Sequence, residues 1–262
     1  IRSILLFGVP NQKDPEATGS WQQDGFVQQT IRLLKDRFPE LVIAVDVCLC
    51  QYTPMGHCQV VQLEPKVTLD HARSCVIYQK QALSYAKAGA DFVAPSSMAD
   101  GVVGVLRHAL DQAGYPSVGI IGYSVKYASS FYGPFREAGQ GAPQSFDRQG
   151  YQMGYQNYVE ALREVAADIE QGADVVMVKP GGAYLDIVAR IHEAYPTIPL
   201  AAYHVSGEYA MLKAAAQHGW LDEPMAVREI LHGFKRAGAR LVITYYAAQV
   251  ARWCQESRCE LF

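Results

Sequence analysis

Lys126 closes the run Ile-Gly-Tyr-Ser-Val-Lys-Tyr, and Lys179 closes Val-Val-Met-Val-Lys-Pro. A lysine at the end of a buried strand cannot keep its ammonium fully hydrated, and desolvation disfavours the charged form. A neutral amine is a nucleophile that condenses with carbonyl compounds to give Schiff bases. Tyr, Ser or Pro flank both lysines, in place of the Lys/Glu pattern of a solvated face. The pair points to a site that handles ketones or aldehydes. The alternative is that both lysines snorkel, with stems along strand ends and heads in water.

A second constellation is Asp46-Val-Cys48-Leu-Cys50-Gln-Tyr-Thr-Pro-Met-Gly-His57-Cys58. Three thiolates from one strand end and its loop can surround a zinc ion and leave a fourth position for water or substrate. Structural zinc sites usually close with four ligands, so a trio leans towards catalysis; His57 as a fourth ligand is the structural alternative. The thiolates would weaken the ion as a Lewis acid, yet leave it able to orient an oxygen. Cys75, Cys254 and Cys259 read as structural or surface thiols. A third feature is Phe131-Tyr132-Gly-Pro-Phe135-Arg136, followed by a Gly, Gln, Ser and Pro-rich stretch that ends in Phe146-Asp147-Arg148. A polar loop of this length is a candidate lid. Arg136 and Arg148 could grip a carboxylate bidentately, or simply be solvated surface arginines.

Something must bring these groups together. Three times an amphipathic stretch stops at a small-residue signal and a β-branched run follows: Ala88-Gly-Ala-Asp before Phe-Val-Ala-Pro, Gln171-Gly-Ala-Asp before Val-Val-Met-Val, and Ala237-Gly-Ala-Arg before Leu-Val-Ile-Thr. Glycine just past a helix adopts the left-handed conformation that ends it. Short, wholly apolar runs suit strands buried on both faces of a parallel sheet. The pattern predicts strands at Ile4–Val9, Leu41–Val47, Phe92–Pro95, Val118–Ser124, Val175–Val178, Leu200–His204 and Leu241–Tyr245. Helices are predicted at Gln28–Phe38, Leu69–Ala88, Gly101–Ala113, Tyr155–Gln171, Leu185–Ala194, Glu208–His218 and Pro224–Ala237.

Alternating strand and helix, with no glycine-rich phosphate loop after an early strand, favours a TIM (β/α)8 barrel as one domain over residues 1–262. Seven strands are one short of eight, so the expectation is that an eighth strand and its helix, the first of the barrel, precede Ile1; otherwise two sheet edges would stay unpaired. Active sites of such barrels lie at the carboxyl ends of the strands. Asp46, the cysteines, Ser96, Lys126, Lys179, Tyr203, Ser206 and Tyr245 all fall there.

Composition narrows the function classes. The chain has 262 residues, half of them hydrophobic, and a formal net charge of −3. That balance argues against a nucleic-acid footprint. No signal peptide or membrane-length apolar run is visible, which sets the expectation of a cytoplasmic protein.

Taken together, Cys-Leu-Cys with Gly-His-Cys, Phe-Tyr-Gly-Pro-Phe-Arg, Met-Val-Lys-Pro with Tyr-Leu-Asp-Ile, Tyr-His-Val-Ser-Gly-Glu-Tyr and Ile-Thr-Tyr-Tyr resemble the porphobilinogen synthase (5-aminolevulinate dehydratase) family from Ile4 to about Trp253. The resemblance implies condensation of two 5-aminolevulinate molecules to porphobilinogen, with loss of water, in tetrapyrrole biosynthesis. It implies a Schiff base on Lys179 for the propionate-side substrate and on Lys126 for the acetate-side one. It implies zinc on Cys48, Cys50 and Cys58. Asp46 and Ser96 resemble the groups that hold the propionate-side amine, and Ser206 and Tyr245, with Tyr203 beside them, that substrate's carboxylate clamp. Arg136, Arg148 and Gln152 resemble the acetate-side clamp, with Tyr132 and Phe135 lining the pocket. Arg163-Glu164-Val165-Ala166 resembles members with an allosteric magnesium ion on Glu164; an exposed helix residue is the alternative there. A homo-octamer is implied as well, and so is an N-terminal arm ahead of the first strand that these residues do not include. Where some members place a further cysteine near Gln152 this chain has Gly150, which counts against a second zinc site shared with His57. Two other readings stand beside this one. A non-catalytic metal- or substrate-binding paralogue is motivated by the Gly182-Ala183 pair and the short N-terminus. A generic Schiff-base aldolase would need only one lysine.

Overall fold

The protein is described by a computed structural model covering residues 1–64, 66–143 and 147–257; Phe146 and Cys259 lie outside the described residues. Its strands are β1 (Ser3–Leu6), β2 (Val42–Val47), β3 (Val60–Gln62), β4 (Thr68–Asp70), β5 (Phe92–Pro95), β6 (Gly119–Lys126), β7 (Val175–Lys179), β8 (Leu200–His204) and β9 (Leu241–Thr244). Its helices are α1 (Phe26–Arg37), α2 (His71–Ala88), α3 (Val102–Gln112), α4 (Gly133–Ala138), α5 (Val159–Glu170), α6 (Leu185–Ala194), α7 (Ser206–Gln217), α8 (Glu223–Arg236) and α9 (Ala247–Ser257). Seven strands form one sheet in the order β1-β2-β5-β6-β7-β8-β9, each parallel to its neighbour. The sheet curls into a nearly closed TIM barrel, and among the described residues β1 and β9 do not pair. The seven sheet strands stand where the apolar runs place them, within a residue or three at their ends.

The repeated stop signals have a mechanical reading. Gly89, Gly172 and Gly238 sit at φ of 104°, 97° and 105°, a region that penalises any residue with a Cβ. The aspartates that follow tie strand starts together. Asp91 accepts from the Ile43 N–H at 2.7 Å and from the Lys35 ammonium at 2.6 Å. Asp174 accepts from the Ile120 N–H at 2.8 Å. Parallel strands thus begin at a common level, and their carboxyl ends finish at one.

The core has two layers. Val45, Val93, Val125, Val176 and Val178 face outward and pack on the helices with Leu106, Val165 and Phe234. Ala44, Ala94, Ile121, Tyr123, Met177, Ala201 and Tyr203 fill the barrel interior. Three elements escape the strand-and-helix pattern: the antiparallel hairpin β3–β4, the short α4 inside the expected lid, and α9. α5 begins later than its periodicity predicts, because the Asn157 side chain accepts from the N–H groups of Val159 and Glu160 and caps the helix there.

Candidate active site

β6 and β7 set the geometry. Lys126 and Lys179 are register partners on these adjacent parallel strands, so their side chains leave the sheet side by side, one strand spacing apart. Both are buried. The Lys126 Nζ donates to the Ser96 carbonyl. The Lys179 Nζ lies 4.1 Å from the Tyr203 ring centre, 5.1 Å from Tyr123, 5.5 Å from Tyr132 and 5.7 Å from Phe135. Burial, reinforced by the neighbouring Lys126 charge and opposed by Asp46, lowers Lys179 to about 7. A large share of its amines is therefore neutral at physiological pH, as the bare sequence argument expects of a desolvated lysine.

Tyr123 belongs to this centre and was not singled out from sequence. Its ring faces both amines, with Lys126 Nζ at 5.5 Å and Lys179 Nζ at 5.1 Å. In a regular strand Tyr123 and Lys126 would point to opposite faces, since side chains alternate. A register shift between Gly122 and Val125 adds one residue and brings both inside, as a bulge does. No sequence pattern marks that bulge.

Asp46 ends β2 in the same pocket. Burial raises its carboxyl to about 6, against the pull of a Ser96 hydrogen bond and of both lysines. One carboxylate oxygen, Oδ1, is buried without a partner. An orphaned acceptor between two amines is suited to a ligand that brings an N–H group.

Beyond Asp46 the chain turns into the cysteine loop. The sulfurs of Cys48, Cys50 and Cys58 lie within 4.8 Å of one another, all buried. Helix α2 holds that loop: Tyr78 donates to the Cys58 carbonyl at 2.6 Å, and Gln81 to the Cys48 carbonyl at 3.1 Å. Zn–S bonds of about 2.3 Å in a tetrahedron separate the sulfurs by about 3.8 Å; Cys48 and Cys50 already stand at 3.4 Å. Hydrogen bonds from the Cys48 and Cys50 thiols, aided by the charges of Arg148 and Lys126, hold Cys58 well below the usual thiol range. A buried thiolate among thiols is a donor set that fits a thiophilic metal ion. His57 stays outside the trio, its Nδ1 within hydrogen-bond distance of the Tyr151 hydroxyl at 3.2 Å.

The remaining residues close the pocket. Asp46, Ser96, Lys126, Tyr132, Phe135, Arg136, Arg148, Lys179, Tyr203, Ser206 and Tyr245 line one cavity of about 20 Å³, joined by Phe7, Gln51 and Val205. Gln152 is not among these walls. It lines an outer chamber of about 850 Å³ with Arg136 and Arg148, and both polar atoms of its side chain are buried without partners. The arginines stand between the two spaces. Arg148 donates to the carbonyls of Gly56 and Gly141, which fastens the lid to the cysteine loop. The Ser206 hydroxyl accepts from the Phe135 N–H at 3.1 Å. Glu164 lies apart, half-buried on α5 beside a cavity of about 170 Å³ shared with Asp100 and Asp168. Burial and those two carboxylates raise its acid above the usual range.

Residues 1–253 match the family model described as delta-aminolevulinic acid dehydratase. The chain is 52% identical to the delta-aminolevulinic acid dehydratase of Synechococcus elongatus, over 97% of this chain and 78% of that protein. It is 48% identical to the Bacillus subtilis enzyme of the same name, over 98% of this chain and 78% of that one. The crystal structure of the Toxoplasma gondii enzyme, in complex with its reaction product porphobilinogen, superimposes with a TM-score of 0.95 at 44% identity, covering 98% of this chain and 73% of that one. Family, relatives and product-bound neighbour agree on one activity, the lyase reaction of porphobilinogen synthesis. With two register-paired lysines and a buried cysteine trio at the mouth of its parallel barrel, the chain belongs to the delta-aminolevulinic acid dehydratase family.

Proposed function

We propose that this chain makes porphobilinogen from two molecules of 5-aminolevulinate by forming one imine on Lys179 and one on Lys126. The observation that carries the reading is the pairing of the two amines on adjacent strands in a single aromatic-walled pocket. A neutral Lys179 attacks the ketone of one substrate molecule and water leaves; the Lys126 nitrogen forms the second imine with the other molecule, with loss of a second water. Two imines held one strand spacing apart convert a bimolecular carbon–carbon bond formation into a positioned one. The carbonyl oxygen of Ser96 and the carboxylate of Asp46 accept from substrate amine or lysine nitrogen. Tyr245 and Ser206 in the inner cavity take one carboxylate; Arg136 and Arg148, which also line the outer chamber with Gln152, take the other.

Cys48, Cys50 and Cys58 would hold zinc, which when bound orients or polarises a substrate oxygen. Glu164 is proposed as the ligand of an activating magnesium ion. Among the described residues only the cysteine trio brings three ligating atoms within 4.8 Å, so magnesium on Glu164 would keep most of its water shell. Assembly as a homo-octamer and a cytoplasmic setting belong to the same proposal and rest on the family resemblance.

Borohydride reduction in the presence of 5-aminolevulinate is expected to leave covalent adducts on Lys179 and on Lys126, located by peptide mass. Lys179→Met is expected to lower turnover by more than about a thousandfold, the scale of nucleophile deletions. Near-normal turnover in that variant rules out the mechanism. Chelation is expected to remove activity and zinc addition to restore it; an apoprotein as active as the metal-loaded form removes the zinc assignment.

A further inference from the structure

Glu208 has no place in the chemistry above, yet it is a carboxylate buried to 6% exposure directly behind the pocket. Its partners are backbone N–H groups. Oε1 accepts from Gly182 at 2.7 Å and Oε2 accepts from Val205 at 2.7 Å, with the Ala183 N–H adding to the same cradle. These donors belong to two different connections. Gly182 lies in the turn that follows Lys179, and Val205 precedes α7, two residues after Tyr203. The same two connections are joined by the Gly181 N–H donating to the Tyr203 carbonyl at 2.7 Å.

The first turn of α7 also carries the lid. The Ser206 hydroxyl accepts from Phe135 and donates to the Phe131 carbonyl at 3.4 Å. A Cβ on Gly207 would stand 2.5 Å from the Phe131 oxygen, so lid backbone rests directly on this turn. A Cβ on Gly182 would stand 2.4 Å from Glu208 Oε1. A side chain at position 182 would therefore press on the carboxylate and push it from its cradle. An amide could not replace the carboxylate: its NH2 would face one of the N–H donors, leaving both unsatisfied.

We propose that Glu208 is a positioning residue for the condensation: it fastens the turn after Lys179 to the first turn of α7, and so sets where the Lys179 nitrogen meets the substrate carbonyl carbon. The inference rests on the reading of Lys179 as an imine-forming residue. The two lysines share backbone ties, since the Tyr127 N–H donates to the Lys179 carbonyl at 2.9 Å, but the Lys126 amine has its own anchor at the Ser96 carbonyl, so loosening the Glu208 cradle acts more on Lys179 than on Lys126.

The test compares the parent protein, Glu208→Gln and Gly182→Ala, which disturbs the cradle from the opposite side. The readouts are borohydride-trapped 5-aminolevulinate at each lysine, kcat and KM, and near-ultraviolet circular dichroism at the assay temperature. In both variants trapping at Lys179 is expected to slow by about tenfold or more, the scale of a misplaced reacting group, while trapping at Lys126 and the dichroism stay near the parent's. kcat is expected to fall more than KM rises. Equal slowing at both lysines, unchanged trapping at Lys179, or unfolding of both variants at the assay temperature overturns the proposal and leaves Glu208 a general clamp of the fold. A parent protein that yields no adduct at Lys179 sinks the imine reading itself, and is distinguished from the other failures by that control.

Discussion

The reactivity proposed for the Lys179 amine comes from where it is buried, and two measurable consequences follow. Its nitrogen is lowered from 10.5 to about 7, and only the neutral form attacks a carbonyl. Trapping at Lys179 is therefore expected to rise with pH through a limb near 7. In Lys126→Met, which removes a charge that lowers Lys179, that limb is expected to move upward. The same shift carries a stability cost. Between about 7 and 10.5 the unfolded chain holds a proton on Lys179 that the folded one has released, so stability climbs with pH across that window and the burden is greatest at and below its lower end. Lys179→Met removes the burden. It is expected to raise the melting temperature at pH 7, by roughly 2–4 °C per kcal/mol recovered, with the gain shrinking as pH approaches the upper end of the window. A variant no more stable than its parent contradicts a desolvated amine. Chemistry at this residue thus works against folding, as expected of a site built for function.

The lid and the cysteine loop are one mechanical unit. Arg148 ties them through the carbonyls of Gly56 and Gly141. Gly56, at φ 66°, would place a Cβ 2.2 Å from the Ala142 oxygen. Gly56→Ala is expected to cost about 1–3 kcal/mol, the range for a strained left-handed residue, and to quicken loss to a chelator of the zinc proposed for the trio. Unaltered melting and metal release would show that the two loops move independently. The inner cavity of about 20 Å³ has room for little more than a water molecule, and the two arginines of the lid line both it and the larger outer chamber. The strands were legible because they are short, nearly wholly apolar runs, three of them announced by a helix-stop glycine. Hairpin β3–β4 was not, because Val-Val-Gln and Thr-Leu-Asp are too short for a period to declare itself. Helix α4 was hidden for the opposite reason: Gly and Pro at its start read as loop, although Pro is well tolerated in a first turn.

Across the barrel, the two ends do different work. The carboxyl ends of the strands carry the amines, sulfurs and arginines. The amino ends carry the glycines and aspartates that align the strands. Gly238, at φ 105° with a would-be Cβ 2.3 Å from the His192 ring, lies at that second end. Gly238→Ala is expected to lower the melting temperature while kcat/KM per folded molecule stays at the parent value; a matching loss of kcat/KM would mean that the ends are coupled. Sequence alone was enough to single out the residue types proposed for the chemistry and to expect parallel strands that deliver them to one rim, because burial periodicity and helix-stop glycines are local properties. It could not decide that the register of β6 against β7 sets Lys126 beside Lys179, or that a bulge turns Tyr123 inward to face both. Nor could it show that Gln152 belongs to the outer chamber and Glu208 to the wall behind the amine. Those facts depend on pairing between residues far apart in the chain, which exists only once the sheet has closed around its core.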